Sequence, residues 1–357
     1  MVNSKTNYPL TSLYLYLTDQ CNLTCSHCWI SPGFSQQPQK GIPLDTLKKT
    51  ISDAQSLGLQ TVKLTGGEPL LYKDLDDLLA FLASKKLTIY IETNGTLFSK
   101  DTLESFRSAN VSQVSVSLDA ASKEIHDKIR GVKGSFQRTL KGMRLLSETG
   151  LNFQVIMTLQ RDNRAEIPAI IRLSEKLYAN SLKINTLLPC GRGKTAFEQK
   201  QNLKLEELID LYRMIEEEWH SANSLDIIFD LPPAFRSIED LKRRGINECR
   251  ILNILGILAN GDFSICGIGQ TTEELRMGNI YDDSISEVWY NNPMLNDLRR
   301  SLLKKLSGIC KNCIFKFQCL GSCRANAYTL TKDLYAPYYL CQQYYDAGLF
   351  PSSRHIE

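Results

Sequence analysis

The residues best able to do chemistry in this chain are three cysteines in the run Cys21-Asn22-Leu23-Thr24-Cys25-Ser26-His27-Cys28-Trp29. Thiolates hold soft metals, and iron–sulfur clusters are usually enclosed by four of them. Three would leave one iron open, and an open position is what a catalytic metal centre offers a substrate. A structural zinc site wants four ligands in paired spacings, which this run lacks. A second group lies toward the carboxyl end. Cys310, Cys313, Cys319 and Cys323 stand with two, five and three residues between them, after Cys249 and Cys266 and before Cys341. These seven thiols are one short of two four-sulfur zinc sites. The remaining cysteine, Cys190, belongs to neither group.

The elements that must position these thiols can be read from periodicity. Leu13-Tyr14-Leu15-Tyr16-Leu17 alternates as a half-buried strand, so the first cysteine loop hangs from a strand end. Leu44, Leu47, Ile51, Ala54 and Leu57 mark one face of a helix that Gly58 ends. Strand and helix periods then alternate: strand 61–65, helix 74–84, strand 87–92, helix 100–108 and strand 111–118. Helical stretches 121–129 and 135–149 precede strand 152–159, helix 164–178 and strand 181–188. Repeated strand–helix units imply a parallel sheet with right-handed crossovers, and ligands bind at the carboxyl ends of its strands. Polar residues collect at those ends. Gly66-Gly67-Glu68-Pro69 follows strand 61–65, where two glycines let backbone approach a ligand and a carboxylate can accept from an ammonium group. A simple turn would use the same residues. Thr93 ends the next strand, Ser117 the one after, and Arg130 lies just beyond; His126 has no partner that marks it as a base. Cys190 follows strand 181–188.

At 357 residues, 43% hydrophobic and 23% charged, the chain can bury a sizeable core and form two domains or one elaborated barrel. A net charge of +3 without a basic, aromatic-interleaved block argues against nucleic acid. Neither a signal peptide nor an apolar run of about 18 residues is visible, so a cytoplasmic protein without a membrane partner is expected. Eleven cysteines in that compartment point to metal ligands rather than disulfides.

The Cys-x3-Cys-x2-Cys spacing, with a ring residue before the third cysteine, resembles the signature of the radical S-adenosylmethionine enzymes. Gly66-Gly67-Glu68-Pro69 matches that family's second motif. The resemblance implies an α/β fold, a partial (β/α)6 barrel, and a [4Fe–4S] cluster on Cys21, Cys25 and Cys28. The open iron would chelate S-adenosylmethionine, whose reductive cleavage yields a 5′-deoxyadenosyl radical. By the same resemblance Gly66, Gly67, Glu68 and Pro69 hold the methionine amine. Ser117 and Arg130, with Thr93 nearby, would contact its ribose or carboxylate.

The carboxyl-terminal cysteines resemble the SPASM domain in every gap. Met277-Gly278-Asn279-Ile280 and Trp289 are similar to it as well, and Asn260-Gly261 marks a β-hairpin. SPASM relatives ligate two auxiliary [4Fe–4S] clusters, giving three in all. By position the first takes Cys249, Cys266 and Cys323, and the second takes Cys310, Cys313, Cys319 and Cys341. Some relatives supply a further cysteine where this chain has Arg243, so the first auxiliary cluster lacks an obvious fourth thiolate. Relatives that mature sulfatases carry an aspartate where this chain has Gly267, which disfavours that role. The expected division is a barrel at 1–195, a linker with a bridging helix near 203–222 at 196–248, and a SPASM domain at 249–357.

The resemblance implies a maturase that abstracts hydrogen from a ribosomally made precursor peptide, with splicing by tyramine excision or cross-linking as outcomes. The chain opens almost at its first strand, so a separate small leader-recognition protein is expected. A flavodoxin- or ferredoxin-type electron donor is implied too. Peptide epimerisation with Cys190 as hydrogen-atom donor, a small-molecule substrate, and a non-catalytic iron–sulfur or zinc scaffold are the alternatives.

Overall fold

In a computed structural model, residues 8–219, 225–246 and 249–356 are described. Met1–Lys5 and the helix end expected near 222 lie outside them. The six expected strands are all present: β1 (Ser12–Tyr16), β2 (Thr61–Thr65), β3 (Thr88–Thr93), β4 (Gln113–Ser117), β5 (Phe153–Leu159) and β6 (Ser181–Thr186). Each pairs parallel with the next. Leu13 and Leu15 of β1, Val62 and Leu64 of β2, and Ile89 and Ile91 of β3 face the covering helices and are almost fully buried. Helices Leu44–Gln55, Leu75–Ser84, Lys100–Ser108, Ser135–Ser147 and Ile167–Lys176 supply the other half of that core through their Leu, Ile, Phe and Met residues.

Two further parallel strands extend the sheet. β7 (Asp226–Phe229) pairs with β6, inside the segment expected as linker and bridging helix. Its four residues are too few for a visible period. The bridging helix itself runs Leu205–Glu218, and a helix at Ile238–Arg244 follows β7. At the other side β8 (Ile254–Ile257) pairs parallel with β1. The expected hairpin turns at Asn260-Gly261 into β9 (Asp262–Ser264), and β10 (Arg276–Asn279) completes a ten-stranded sheet. The carboxyl-terminal hairpin is thus hydrogen-bonded into the same sheet as the first strand. Trp289, fully buried, ties helix Ile285–Asn291 to the chain start by donating to the Tyr8 carbonyl at 3.1 Å.

The sheet curls on itself. Four strands separate β1 from β6. Yet the Arg192 N–H, beyond β6, donates to the Cys28 carbonyl at 2.8 Å, beyond β1. Arg192 also donates through Nε to the Cys25 carbonyl at 2.8 Å. The carboxyl ends of the parallel strands therefore ring one mouth, from which every motif-bearing loop departs.

Candidate active site and cluster centres

The first cysteine loop is built to hold its shape without a regular element. Gln20–Cys21 pairs with Gly33–Phe34 and closes the loop at its base. The Thr24 N–H donates to the Arg130 carbonyl at 3.1 Å and the Ser26 N–H to the Ile129 carbonyl at 2.9 Å, strapping the loop to the end of helix Lys123–Arg130. Cys21 and Cys25 are buried with Leu23 in a small cluster of their own, against Cys28 and Val132. Donors face the sulfurs: the Leu23 N–H at 3.4 Å and Asn94 Nδ2 at 3.8 Å from Cys21 Sγ, and Arg130 Nη1 at 3.7 Å from Cys25 Sγ. Burial pushes both thiols up; Glu68 adds to the effect at Cys21, whereas Arg130 opposes it at Cys25. Cys25 and Cys28 both act on Cys21, so the three stand within electrostatic reach of one another. Thiols that resist ionisation alone, faced by a guanidinium and an amide, suit a metal centre whose charge deprotonates them.

The Gly66–Pro69 turn lies flat on the base of this loop. The Gly67 N–H donates to the Thr18 carbonyl and the Glu68 N–H to the Gln20 carbonyl, both at 2.8 Å. Gly66 has φ +125°, a conformation other residues rarely adopt. A Cβ on Gly67 would run into the Gln20 carbonyl oxygen. Gly67→Ala should therefore push the turn off the cysteine loop at a cost of about 1–3 kcal/mol, the usual range for overpacking. A lowered melting temperature of the apo chain, together with weaker cofactor binding, is the expected reading.

Glu68 is 0% exposed. Its carboxylate accepts from Thr93 Oγ1 at 2.6 Å, the Asn94 N–H at 2.9 Å and the Leu70 N–H at 3.2 Å. Burial nevertheless raises it to about 7, against those donors. Arg130 is a cation that acts on it, too weakly to outweigh burial, and an ammonium group would supply a closer one. Thr93, expected to face the cofactor, gives its hydroxyl to Glu68 and so positions that carboxylate. Asn94, which sequence reasoning passed over, joins Glu68 to Cys21 and bonds Asn22 Oδ1 at 2.8 Å.

Arg130 is placed on the cluster side of the mouth. Its Nε lies 2.7 Å from Asp119 Oδ2. Asp119 is fully buried and accepts from the Thr158 N–H at 2.9 Å. Burial raises its carboxyl, but Arg130, His27 and His126 outweigh that and hold it below the usual range. His27 and His126 are both pushed down to about 4, mainly by burial, and are neutral at physiological pH. His126 Nδ1 accepts from the Asp119 N–H at 3.3 Å, a structural role. Ser117 ends β4 on the inward face and is not part of this network. That face is polar: Lys63 Nζ pairs with Glu92 Oε1 at 2.8 Å and sits 4.7 Å over the Tyr14 ring.

Cys310, Cys313, Cys319 and Cys341 line one cavity, with Pro232, Pro233, Tyr338 and Phe350 around them. Cys266 ends the β8–β9 hairpin, and Cys323 caps helix Arg324–Thr331, its sulfur accepting from the Asn326 N–H at 3.4 Å. Cys190 is buried rather than open to the mouth, 3.3 Å from Thr329 Oγ1 on that helix. Among the described residues no three His, Cys, Asp or Glu side chains are gathered as for a single metal ion. A four-iron cluster spreads its thiolates wider, each on its own iron.

Known families and proteins are similar to this chain along most of its length. The radical SAM superfamily model matches residues 15–174. The SPASM model, an iron–sulfur cluster-binding domain, matches residues 249–314. A Methanosarcina barkeri protein named AdoMet-dependent heme synthase is 29% identical over 331 residues, covering 89% of this chain and 92% of its own. Mycofactocin maturase MftC of Mycobacterium ulcerans is 25% identical over 341 residues, covering 95% of this chain and 89% of its own. The crystal structure of Streptococcus suis SuiB bound to precursor peptide SuiA shares the fold with a TM-score of 0.74. It covers 94% of this chain and 76% of its own at 21% identity.

Proposed function

The chain is a radical S-adenosylmethionine enzyme with a carboxyl-terminal SPASM domain, and from that premise we propose that it abstracts a hydrogen atom from a precursor peptide. The observation that carries the reading is Glu68, a buried carboxylate wanting a cation, coupled through Asn94 to Cys21. Cys21, Cys25 and Cys28 would hold the catalytic cluster, which with bound S-adenosylmethionine supplies the 5′-deoxyadenosyl radical. Gly66 and Gly67 give the cofactor a bare backbone edge, Glu68 takes its ammonium, and Thr93 and the Asn94 N–H hold that carboxylate in place. Arg130 steadies the Cys25 sulfur and is itself fixed by Asp119. Ser117 contacts the ribose or carboxylate from the inward face. The ten cysteines outside Cys190 serve three clusters, two of them auxiliary.

The substrate would enter the mouth above the polar face of Tyr14, Lys63 and Glu92. The names of MftC and of SuiB with its precursor peptide favour a peptide. Splicing or cross-linking of that peptide would follow, with a separate leader-recognition protein and a flavodoxin- or ferredoxin-type donor as partners. The heme synthase relative favours a second reading, a small porphyrin carboxylate. The two separate in one anaerobic assay with S-adenosylmethionine and reductant, run on candidate precursor peptides and on an iron porphyrin bearing propionates. A mass change in a peptide, with the porphyrin untouched, is the expected result. Loss of carbon dioxide from the porphyrin, with every peptide unchanged, would transfer the assignment to the second reading.

A further inference from the structure

We infer that Cys190 is the fourth thiolate of the group formed by Cys249, Cys266 and Cys323, and that it closes the first auxiliary cluster. The inference rests on the reading that this group holds a cluster. The four residues come from four separate stretches of the chain. Cys190 lies just beyond β6, Cys249 shortly before β8, Cys266 at the end of the hairpin, and Cys323 at the cap of helix Arg324–Thr331. Five strands stand between β8 and β6 in the sheet, so only its curling lets their flanking loops meet.

Both loops pack on the first cysteine loop and β1. A Cβ on Gly191 would strike the carbonyl oxygens of Cys28 and Trp29, so the backbone beside Cys190 lies directly on the first cysteine loop. The Trp29 ring meets Tyr16 edge-on at 6.2 Å, and Gly267 packs its backbone against the Tyr16 ring, next to Cys266. On the far side Cys190 Sγ is 3.3 Å from Thr329 Oγ1, six residues along the helix that Cys323 caps. The Thr329 hydroxyl donates to the Ala325 carbonyl at 3.0 Å, so it asks nothing of the sulfur as an acceptor.

Electrostatic reach agrees with this placement. Cys323, Cys249 and Cys190 all lie within electrostatic range of Cys266, and Cys190 lies within that of Cys323. Asp230 is the competing donor. It also acts on Cys323, but it is exposed where Cys190 is only 4% exposed. A buried thiolate suits an iron–sulfur cluster better than an exposed carboxylate. The assignment has a chemical consequence. A cysteine bound to iron as thiolate carries no hydrogen atom to donate, so Cys190 would not serve as the donor of an epimerase.

The test uses the full-length chain with Cys21, Cys25 and Cys28 all changed to Ala, which leaves only auxiliary iron. Into it go, singly, Cys190→Ala, Cys190→Ser, Asp230→Asn and Cys266→Ala. Iron and sulfide per chain, electron paramagnetic resonance and the cluster midpoint potentials are measured after anaerobic reconstitution. Cys190→Ala should give a three-iron signal absent from its parent, or lose roughly one to four irons per chain. Cys190→Ser should keep the iron but shift one potential, and Asp230→Asn should match the parent. Iron held by Cys310, Cys313, Cys319 and Cys341 should persist throughout and reports an intact fold. If Cys190→Ala keeps the parent's iron, spectrum and potentials while Cys266→Ala loses them, Cys190 is not a ligand and the inference fails alone. If Cys266→Ala also changes nothing, no cluster occupies the group, and both the inference and the reading beneath it are overturned.

Discussion

Cys25→Ala should abolish 5′-deoxyadenosine formation, down to the rate of the cofactor in buffer. Cys25 is buried, faces the Arg130 guanidinium, and sits in a small apolar cluster apart from the main core. Little else in the loop depends on its side chain. The bonds that strap the loop down are backbone bonds from Thr24, Ser26 and Cys28, and alanine keeps them all. The variant should therefore fold, lose about four irons per chain and retain its auxiliary iron. Its far-ultraviolet circular dichroism should match the parent. The same outcome is expected for Cys21→Ala and Cys28→Ala, because a cluster held by three thiolates does not survive on two in an exchangeable loop. Iron analysis and chromatography of the nucleoside check this together. Undiminished nucleoside from Cys25→Ala would take the cluster off this loop.

Glu68→Gln should weaken S-adenosylmethionine binding about ten- to hundredfold, the value of a charge-assisted hydrogen bond worth about 1.5–3 kcal/mol. Its pH dependence is the sharper signature. Burial raises Glu68 to about 7, so in the free chain it is largely a carboxylate above that pH and protonated below it. Only the carboxylate can hold an ammonium. Affinity should thus be highest above pH 7 and fall as the pH drops through 7, approaching tenfold per unit. Binding near pH 7 should release a proton, because the ammonium stabilises the ionised form. Titration calorimetry in buffers of different ionisation enthalpy reads that proton directly. In Glu68→Gln the affinity should be low and flat between pH 6 and 8, with no proton released. A wild-type profile that is equally flat would remove Glu68 from the amine site.

Much of the scaffold was legible because its signals are local. Alternation over Leu13–Leu17 and the 3.6-residue spacing through Leu47, Ile51 and Ala54 are properties of adjacent residues, and the structure carries both. Asn260-Gly261 marked its hairpin by turn chemistry alone. The pairing of that hairpin with β1 was not legible, since partner choice in a sheet is settled by packing some 240 residues apart in sequence. β7 escaped because Asp226–Phe229 is too short to show a period. At the site, the thiol spacing and the paired glycines could be read directly. The contacts of Thr93 with Glu68, and of Arg130 with Asp119 and Cys25, join residues from different strand ends. Such contacts follow from the curl of the sheet, which no window of sequence contains. Asn94 offered one signal, an amide beside a glycine at a strand end, and Cys190 offered only its position after β6.

The central claim is that Cys21, Cys25 and Cys28 carry a cluster that turns S-adenosylmethionine into a radical source. The most direct measurement is anaerobic reconstitution of the wild-type chain, a count of iron and sulfide, and then addition of dithionite and S-adenosylmethionine. About twelve irons per chain, with 5′-deoxyadenosine forming only when both reagents are present, is the predicted result. Zinc in place of iron, or iron without any nucleoside, would contradict it and return the chain to a metal-bound scaffold.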